Sequence, residues 1–267
     1  MKDTYTHGHH RSVVAHHGNR TAEDSAAFLL PYLSSGQSLL DVGCGPGSIT
    51  VDLARRVAPG RVVGLDVAES IVDVARQAVQ DASLTNVKIE TGSVYELDFE
   101  DATFDVVFAH QVLQHLTDPV AALREMRRVT VRGGLVAVRD VDYATFAWHP
   151  PHPKLTRWLE LYHAVTSAND AEANAGRYLL SWCQRAGFDD VTISTSSWSY
   201  GDQAGREFWG DGWVVRATES SFAAQAVDYG LSTIEELREI SAAWAWWRDQ
   251  PDGYLAMMHT EALARVR

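Results

Sequence analysis

The sequence predicts an α/β fold in which helices cover both faces of a mostly parallel sheet. Short apolar runs alternate with segments of helical periodicity from residue 38 to about residue 142, and this alternation is typical of a parallel sheet. The first apolar run leads directly into a glycine-rich turn, DVGCGPGS. The chain has 267 residues, of which 46% are hydrophobic, so it can bury one large core. We therefore expect a single domain over residues 1–267.

A capping box at residues 21–24 predicts the start of the first helix. The hydroxyl of Thr21 and the carboxylate of Asp24 can accept hydrogen bonds from backbone amides of the first turn. We expect this helix to run through AEDSAAFLLPYL and to end near the SSGQ turn.

Seven segments are predicted as strands because they are short and apolar or lie where the sheet needs completion. In chain order they are SLLDVG, RVVGLD, NVKIETG, FDVVFAHQVL, GGLVAVRDVD, DVTISTSSW and YLAMMHTEALARV. In SITVDLARRVA, apolar residues at helical spacing precede Pro59 and Gly60, which end the helix. The other predicted helices are SIVDVARQAVQDA, DPVAALREMRRVT, PKLTRWLELYHAVTS, GRYLLSWCQRAGF, REFWGDGWVVRA, SFAAQAVDYG and TIEELREISAAWAWWRD.

The tryptophans divide the chain unevenly, since all nine follow residue 147. We expect the second half to add a helical, aromatic-rich cap to the sheet. Tryptophans at helical spacing often belong to a core, but large aromatics also make rigid walls for an apolar ligand. On the second interpretation, Trp209 and Trp213 contact the substrate.

Charge and composition exclude several classes of partner. The formal net charge of −12 and the pI near 5.3 argue against a surface that binds DNA or RNA. No apolar run approaches the roughly 20 residues that cross a bilayer, and the N-terminus lacks the apolar stretch of a signal peptide. The two cysteines fit a reducing compartment. We expect a cytoplasmic protein with no nucleic-acid or membrane partner, and we leave monomer and homodimer open.

The glycine-rich turn predicts a nucleotide-binding site. Gly43, Gly45 and Gly47 lie between a strand and a helix, where backbone amides can approach a ligand closely. Asp66 ends the second strand, and a carboxylate there can accept hydrogen bonds from both ribose hydroxyls. The spacing G-x-G-x-G, with Pro46 inside the turn, differs from the G-x-G-x-x-G of dinucleotide sites. A nicotinamide-dependent oxidoreductase is therefore disfavoured.

Together, the segments DVGCGPGS, GLDVA, TGSVYELDFEDATFDVVFAHQVLQHLTDP and VRGGLVAV resemble class I S-adenosylmethionine-dependent methyltransferases. The branch they resemble includes the ubiquinone and menaquinone C-methyltransferases, and the resemblance covers about residues 20–142. It implies a Rossmann-like sheet of seven strands and S-adenosylmethionine as cofactor, with S-adenosylhomocysteine as product. Residues 1–36 would form a lid and the first helix, 37–142 the cofactor-binding core, and 143–267 the remaining strands and the cap.

The resemblance also implies which residues contact the cofactor. Gly43, Cys44 and Gly45 would lie against the methionine part, with Asp41 beneath them. Asp66 would hold the ribose, and Val67 would pack on the adenine. The family usually has an aspartate after the third strand, where this chain has Ser93 beside Val94. Ala109 and His110 would border the methionine amine.

Histidines are the candidate catalytic residues. His110 and Gln111 stand where the family often has Ser-Asn, and a histidine can act as a base toward an acceptor that loses a proton. His110 and His115 are therefore predicted to be catalytic, although a structural hydrogen bond would equally explain His115. Gln111 is predicted to contact the substrate.

Five of the eleven histidines lie in YTHGHHRSVVAHH near the N-terminus. Related methyltransferases use this segment as a lid, which would bring Tyr5 to the cofactor and His7 and His9 to the substrate. Arg20 would pair with the methionine carboxylate. A solvated terminus is the alternative for the first residues. A zinc site is disfavoured because the segment has no cysteine to complete a closed set of ligands, so we expect no metal.

The leading hypothesis is methyl transfer to a small, apolar or aromatic metabolite, with secondary metabolism as its setting. Acidic residues at 202, 207 and 211 would instead favour a cationic group. The alternatives are a peptide or protein methyltransferase and a non-catalytic or repurposed cofactor-binding fold. The sequence leaves O-, N- and C-methylation open.

Overall fold

A central sheet of eight strands organises the computed structural model, which describes residues 3–6, 8 and 18–267. The strands are β1 (Leu39–Val42), β2 (Val62–Asp66), β3 (Val87–Thr91), β4 (Phe104–His110), β5 (Thr130–Val141), β6 (Ala147–His149), β7 (Asp190–Tyr200) and β8 (Tyr254–Arg265). Their order is β3-β2-β1-β4-β5-β8-β6, and β7 also pairs with β8. The pairs among β1 to β5 are parallel, whereas β8 is antiparallel to its three neighbours. The predicted α/β fold with a mostly parallel sheet is confirmed.

The predicted count of seven strands is wrong by one, because the described part of the chain contains an additional short strand. β6 has three residues, which pair with Ala256, Leu255 and Tyr254 of β8. Three residues are too few to produce an alternating pattern in the sequence. The seven strands that were predicted are all present.

Helices connect the strands and cover the sheet. They are α1 (Ala22–Ser25), α2 (Ser48–Val57), α3 (Glu69–Asp81), α4 (Pro119–Val129), α5 (Pro153–Ala168), α6 (Leu179–Arg185), α7 (Gln203–Glu219), α8 (Ser221–Asp228) and α9 (Ile234–Arg248). Short 3₁₀ turns lie at Leu30–Tyr32, Leu113–His115, Tyr143–Thr145 and Ala175–Tyr178. No described helix is both long and apolar enough to cross a membrane.

The first helix is shorter than predicted. The capping box of Thr21 and Asp24 is present, but α1 ends at Ser25 and the segment continues to a 3₁₀ turn. Pro31 lies in that turn, and its missing N–H and its ring are incompatible with the interior of an α-helix.

Both faces of the sheet are buried. Leu40 and Val107 pack in one apolar cluster with α4 and α6, while their neighbours Leu39 and Val106 pack in another with α2. Successive residues of a strand point to opposite faces, so near-continuous apolar strands are needed when both faces are covered. This explains why SLLDVG and FDVVFAHQVL contain so few polar residues.

The tryptophan-rich second half forms a separate aromatic cluster. Trp158 of α5, Trp213 of α7 and Trp244 of α9 are fully buried against one another, with ring centroids 4.7 and 4.9 Å from Trp158. The cluster joins α5, α7, α8 and α9 to Leu255 and Met257 of β8. It holds these helices together at the β8 end of the sheet.

Candidate active site

A cavity of about 200 Å³, called the main cavity below, opens at the carboxyl ends of β1, β2 and β4. The order of strands reverses between β1 and β4, and ligands of open α/β sheets bind at such a point. The described residues that line it are Asp3, Tyr5, Gly8, Arg20, Asp41, Gly43, Cys44, Gly45, Pro46, Ser48, Ile49, Asp66, Val67, Ile71, His110, Gln111, Val112, His115 and Leu116.

The glycine turn forms one wall with its backbone. Gly43 has a φ of +68°, and a Cβ there would lie 2.4 Å from Cγ2 of Val112. Gly45 has a φ of +54°, but no heavy atom lies near the position of its missing Cβ. L-residues with a side chain rarely adopt this conformation. The turn therefore depends on glycine, and its backbone is open to a ligand.

Asp66 is fixed at the end of β2 by two backbone amides. Its carboxylate accepts hydrogen bonds from the N–H of Gly45 at 3.1 Å and of Ala68 at 3.0 Å. A carboxylate has about four lone-pair sites. Asp66 can therefore accept further hydrogen bonds from a ligand while the turn orients it.

Asp41 lies at the base of the cavity. Its side chain is buried and accepts a hydrogen bond from the hydroxyl of Thr50 at 2.6 Å. Burial raises the pKa of Asp41 to about 7, although the hydrogen bond from Thr50 opposes the change. Near neutral pH this carboxyl group is therefore partly protonated.

Residues of the N-terminal arm cross the cavity and are held at both sides. Asp3 accepts hydrogen bonds from the hydroxyl of Tyr95 at 3.0 Å and from the N–H of Thr117 at 2.9 Å. On the other side, the amide of Asn169 donates to the hydroxyl of Thr6 at 3.0 Å. The arm therefore bridges the loops after β3 and β4 to the helical cap.

Two further contacts complete this attachment. The side-chain amide of Gln225 donates to the carbonyl of Tyr5 at 3.3 Å, and a Cβ on Gly8 would lie 1.9 Å from Oγ of Ser221. The ring of Tyr5 packs edge-on against His115, with centroids 4.7 Å apart. The histidines at positions 7, 9, 10, 16 and 17 lie outside the described residues.

His110 ends β4 and faces the cavity. Its side chain is 6% exposed, and neither ring nitrogen has a hydrogen-bond partner in the described part of the chain. Burial and then the charges of Arg20 and Arg139 hold the pKa of His110 well below its usual range. The imidazole is therefore neutral at physiological pH, and its acceptor nitrogen is available to a ligand.

His115 lies further along the same loop. Burial, with a smaller contribution from Arg20, lowers the pKa of His115 to about 3. Its Nε2 lies 3.0 Å from Nε2 of the Gln114 amide, so the amide donates and the imidazole accepts. This is the structural hydrogen bond that the sequence left open for His115.

A chain of hydrogen bonds fixes Arg20. Its Nη2 donates to Oε1 of Gln111 at 2.7 Å, and Nε2 of Gln111 lies 2.8 Å from Nε2 of His259. Because a guanidinium can only donate, the amide nitrogen of Gln111 must face His259. His259 is then neutral, with its proton on Nδ1. Gln111 adopts a φ of +54°, which is a strained conformation for this residue.

Arg20 also borders a second cavity, called the side cavity below. Its lining residues among those described are Asn19, Arg20, Asp24, Ser197, Trp198, Ser199, Tyr200 and Phe208. The guanidinium carbon of Arg20 lies 5.3 Å from the ring centroid of Trp198. Sequence reasoning missed Trp198 and His259, because β7 and β8 come more than 140 residues after the glycine turn and carry no motif.

Five predicted site residues do not line the main cavity. Trp209 and Trp213 are buried in the aromatic cluster, because their four-residue spacing puts both on the side of α7 that faces α5 and α9. The prediction that they contact the substrate is not supported. Val94 and Ala109 pack in the apolar core beneath the cavity. The hydroxyl of Ser93 accepts a hydrogen bond from the N–H of Tyr95 at 3.3 Å.

Comparisons with known proteins agree with this geometry. A family model described as a methyltransferase domain matches residues 33–191, more than half of the chain. An uncharacterized methyltransferase of Schizosaccharomyces pombe is 31% identical over 262 residues, which are 95% of this chain and 93% of that protein. A demethylmenaquinone methyltransferase of Listeria welshimeri is 33% identical over 133 residues, 49% of this chain and 52% of that protein.

The fold is also shared with solved structures. Phosphoethanolamine N-methyltransferase 2 of Haemonchus contortus, in complex with phosphomonomethylethanolamine and S-adenosylhomocysteine, matches with a TM-score of 0.58 and 16% identity. The match covers 92% of this chain and 53% of that one. At this identity the likeness concerns the fold alone.

The main cavity fits S-adenosylmethionine. The glycine turn leaves room against its backbone, and Asp66 presents a carboxylate at the end of β2 for hydroxyl donors. Arg20 offers a guanidinium whose partners among the described residues are the uncharged Gln111 and Trp198. The family match and the fold agree with this fit. The chain therefore belongs to the class I S-adenosylmethionine-dependent methyltransferases.

Proposed function

We propose that this enzyme methylates a small organic acceptor of apolar or aromatic character inside the main cavity. The observation that carries the proposal is the arm, whose hydrogen bonds at Asp3, Tyr5 and Thr6 hold it across the cavity. An enclosed site suits a small ligand, whereas a peptide or protein acceptor needs an open groove. A setting in secondary metabolism stays a prediction.

Four parts of the chain would hold the cofactor. Asp66 would accept hydrogen bonds from the ribose hydroxyls, Val67 would pack on the adenine, and the turn from Gly43 to Gly45 would lie against the methionine part. Arg20 would pair with the methionine carboxylate, since a guanidinium matches a carboxylate in geometry and charge. Bound S-adenosylmethionine supplies an electrophilic methyl group, so the protein's task is mainly to align the acceptor with it.

Two of the acidic residues noted in the sequence give no support to a cationic acceptor. Asp202 caps α7 by accepting from the N–H of Gly205 at 2.7 Å, and Asp211 pairs with Arg248 at 2.6 Å. Neither residue is among those that line the main cavity.

His110 would act on the acceptor's proton. A hydroxyl or amine of the acceptor can donate to the neutral imidazole, which orients the attacking lone pair toward the methyl group. As the acceptor's new bond to carbon formed and that carbon's bond to sulfur broke, the proton would move to the imidazole and later to solvent. Because the pKa of His110 is held low, this transfer needs an acceptor whose proton becomes acidic as methylation proceeds.

The size of the acceptor can be tested with isotope-labelled S-adenosylmethionine. The purified enzyme is incubated with the label and a cell extract from its source, which is separated into low-molecular-mass and protein fractions. We expect enzyme-dependent label in the low-molecular-mass fraction, and Asp66→Ala as control should reduce it at limiting S-adenosylmethionine. Label that enters only the protein fraction would establish the peptide or protein alternative instead.

A further inference from the structure

His259 of β8 touches two residues that hold Arg20. Its side chain is buried, and it is not among the described residues that line the main or the side cavity. Its Nε2 lies 2.8 Å from Nε2 of Gln111, and its ring centroid lies 4.4 Å from that of Trp198. Gln111 accepts a hydrogen bond of 2.7 Å from Arg20, and the Trp198 ring lies 5.3 Å from the guanidinium carbon. His259 therefore lies behind the cation that the proposed function assigns to the methionine carboxylate.

The hydrogen bond to His259 decides which end of the Gln111 amide faces Arg20. A guanidinium only donates, so Arg20 needs the amide oxygen, and the amide nitrogen then faces the lone pair of the imidazole. Without that lone pair, the NH2 group would lose this partner in the orientation that serves Arg20. Exchange of the two ends of the amide would place two donors against each other. The acceptor nitrogen of His259 therefore selects the orientation of Gln111 that holds Arg20.

The backbone of Gln111 is fixed as well. It adopts a φ of +54°, which a residue other than glycine keeps only where its surroundings hold it. Its N–H donates to the carbonyl of Arg139 on the neighbouring strand β5 at 2.7 Å. Strain of this kind is concentrated in active sites and ligand clamps. The side chain of Gln111 thus reaches Arg20 and His259 from a fixed point.

The Arg20 guanidinium retains donors for a ligand. Its Nε is buried and has no hydrogen-bond partner in the part of the chain that the structure describes. Its Nη2 carries two hydrogens, so it can donate to Gln111 and to a ligand together. With Nε it offers the two donors that a carboxylate accepts. Because Arg20 lines the main cavity, its orientation decides how well these donors meet an anion there.

We propose that His259 is a positioning residue for cofactor recognition. It acts through Gln111 and Trp198 on Arg20, and it thereby sets the preference of the site for a ligand that carries a carboxylate. The inference rests on the proposed function, since it assumes that Arg20 pairs with the methionine carboxylate. A merely structural role for His259 would weaken all ligands of the site alike, whereas a positioning role weakens only those with a carboxylate.

Two ligands that differ only in the carboxylate test the inference. S-adenosylhomocysteine is compared by calorimetry with decarboxylated S-adenosylhomocysteine, which keeps the adenosine, the sulfur and the amine. We expect the unaltered enzyme to bind the carboxylate form ~10-fold or more tightly, which corresponds to a charge-assisted hydrogen bond. His259→Phe keeps a ring beside Trp198 but has no acceptor, and should reduce this preference by ~3-fold or more. Its affinity for the decarboxylated ligand should be unchanged.

Two further variants examine the same chain of contacts. His259→Gln should retain most of the preference, because its side-chain oxygen can accept a hydrogen bond in place of Nε2. Gln111→Met should lose the preference as His259→Phe does, because it removes the link between His259 and Arg20. A preference that survives in Gln111→Met would overturn the inference, even if His259→Phe does not fold.

His163→Phe is the matched control, because it makes the same exchange at a histidine with other partners. The ring nitrogens of His163 on α5 lie 2.8 Å from the carbonyl of Leu159 and 2.9 Å from the side-chain oxygen of Asn174. This variant should leave both affinities unchanged. Equal weakening of the two ligands by His259→Phe would show a structural role and would overturn the inference.

Arg20→Gln separates this inference from the proposed function. If Arg20→Gln abolishes the preference and His259→Phe leaves it intact, the inference alone is wrong. If Arg20→Gln keeps the full preference, the pairing of Arg20 with the methionine carboxylate is wrong and the inference fails with it. The labelling experiment tests the size of the acceptor independently of both.

Discussion

At one end of the main cavity the wall is backbone, and at the other it is side chains. The cofactor end consists of the turn from Gly43 to Gly47 and of Asp66, which two amides of the same region orient. The end proposed for the acceptor brings together Tyr5 and His110, which distant segments supply. A backbone wall is set by local conformation, whereas a side-chain wall depends on the packing of the whole domain. The two ends should therefore respond differently to substitution.

The largest effect is expected from the glycine turn. Gly43→Ala combines a left-handed φ with a Cβ 2.4 Å from Val112, and should lower the free energy of unfolding by about 2–4 kcal/mol. Gly45→Ala is the control, since it shares the positive φ but meets open space. It should cost only about 1–2 kcal/mol. Urea unfolding measures both, and equal losses would contradict a steric role for Val112.

Substitution of Asp66 tests the proposed contact between the end of β2 and the cofactor. Asp66→Ala should weaken binding of S-adenosylhomocysteine by ~1–3 kcal/mol, because two charge-assisted hydrogen bonds are lost. Asp73→Ala, which removes an exposed carboxylate paired with Arg76 at 2.9 Å, should leave binding unchanged. Calorimetry measures both dissociation constants. Tight binding of NAD, without a response to either methionine-derived ligand, would refute the predicted cofactor site.

The two ends should also show opposite dependence on pH. The folded pKa of His115 is about 3, below the usual 6.5, so its contribution to stability is complete above pH 6.5 and is lost as the pH falls toward 3. The folded pKa of Asp41 is about 7, above the usual 3.8, so its contribution is complete below pH 3.8 and is lost as the pH rises through 7.

The opposite pH dependences can be measured by comparing the unaltered protein with two variants. Relative to His115→Gln, the unaltered protein should lose about 1.4 kcal/mol of stability for each pH unit below 6.5. Relative to Asp41→Asn, it should lose a similar amount for each unit between about pH 4 and 7. Unfolding free energies of the three proteins, measured across this range, give both slopes. Slopes of the same sign would show that burial does not dominate at one of the two sites.

The smallest effect concerns the arm. Asp3→Ala and Tyr95→Phe each remove one partner of a hydrogen bond of 3.0 Å that attaches the arm to the loop after β3. In a double-mutant cycle based on the affinity for S-adenosylhomocysteine, the coupling free energy between the two substitutions should be about 0.5–1.5 kcal/mol. A coupling of zero would mean that the arm does not close over the bound cofactor.

The sequence could predict the cofactor end because its information is local. The strand, the turn and Asp66 follow one another within 30 residues, and each has a pattern with a physical reason. The first helix shows the limit of local patterns. The capping box at Thr21 was predicted correctly, whereas the predicted length of α1 was wrong, because the helix was extended through Pro31. The helical spacing of Trp209 and Trp213 fitted both a core and a ligand wall, and only the packing of α7 against α5 and α9 distinguishes them.

The acceptor end could not be predicted in the same way. Nothing in the pattern around Trp198 or His259 distinguishes them from surface residues. Their importance depends on their contacts with Arg20 and Gln111 once the chain has folded, and that is a property of the whole structure.

Cys44 is a potential target of methylation by the enzyme's own cofactor. This thiol lies in the wall of the main cavity, 8% exposed, where an alkylating cofactor would be its neighbour. Burial and then the negative charges of Asp41 and Asp66 raise the pKa of the Cys44 thiol. The thiolate is the nucleophilic form of cysteine, so almost none is present at neutral pH. Burial, reinforced by the carboxylates of Asp41 and Asp66, therefore keeps the Cys44 thiol in its less nucleophilic form.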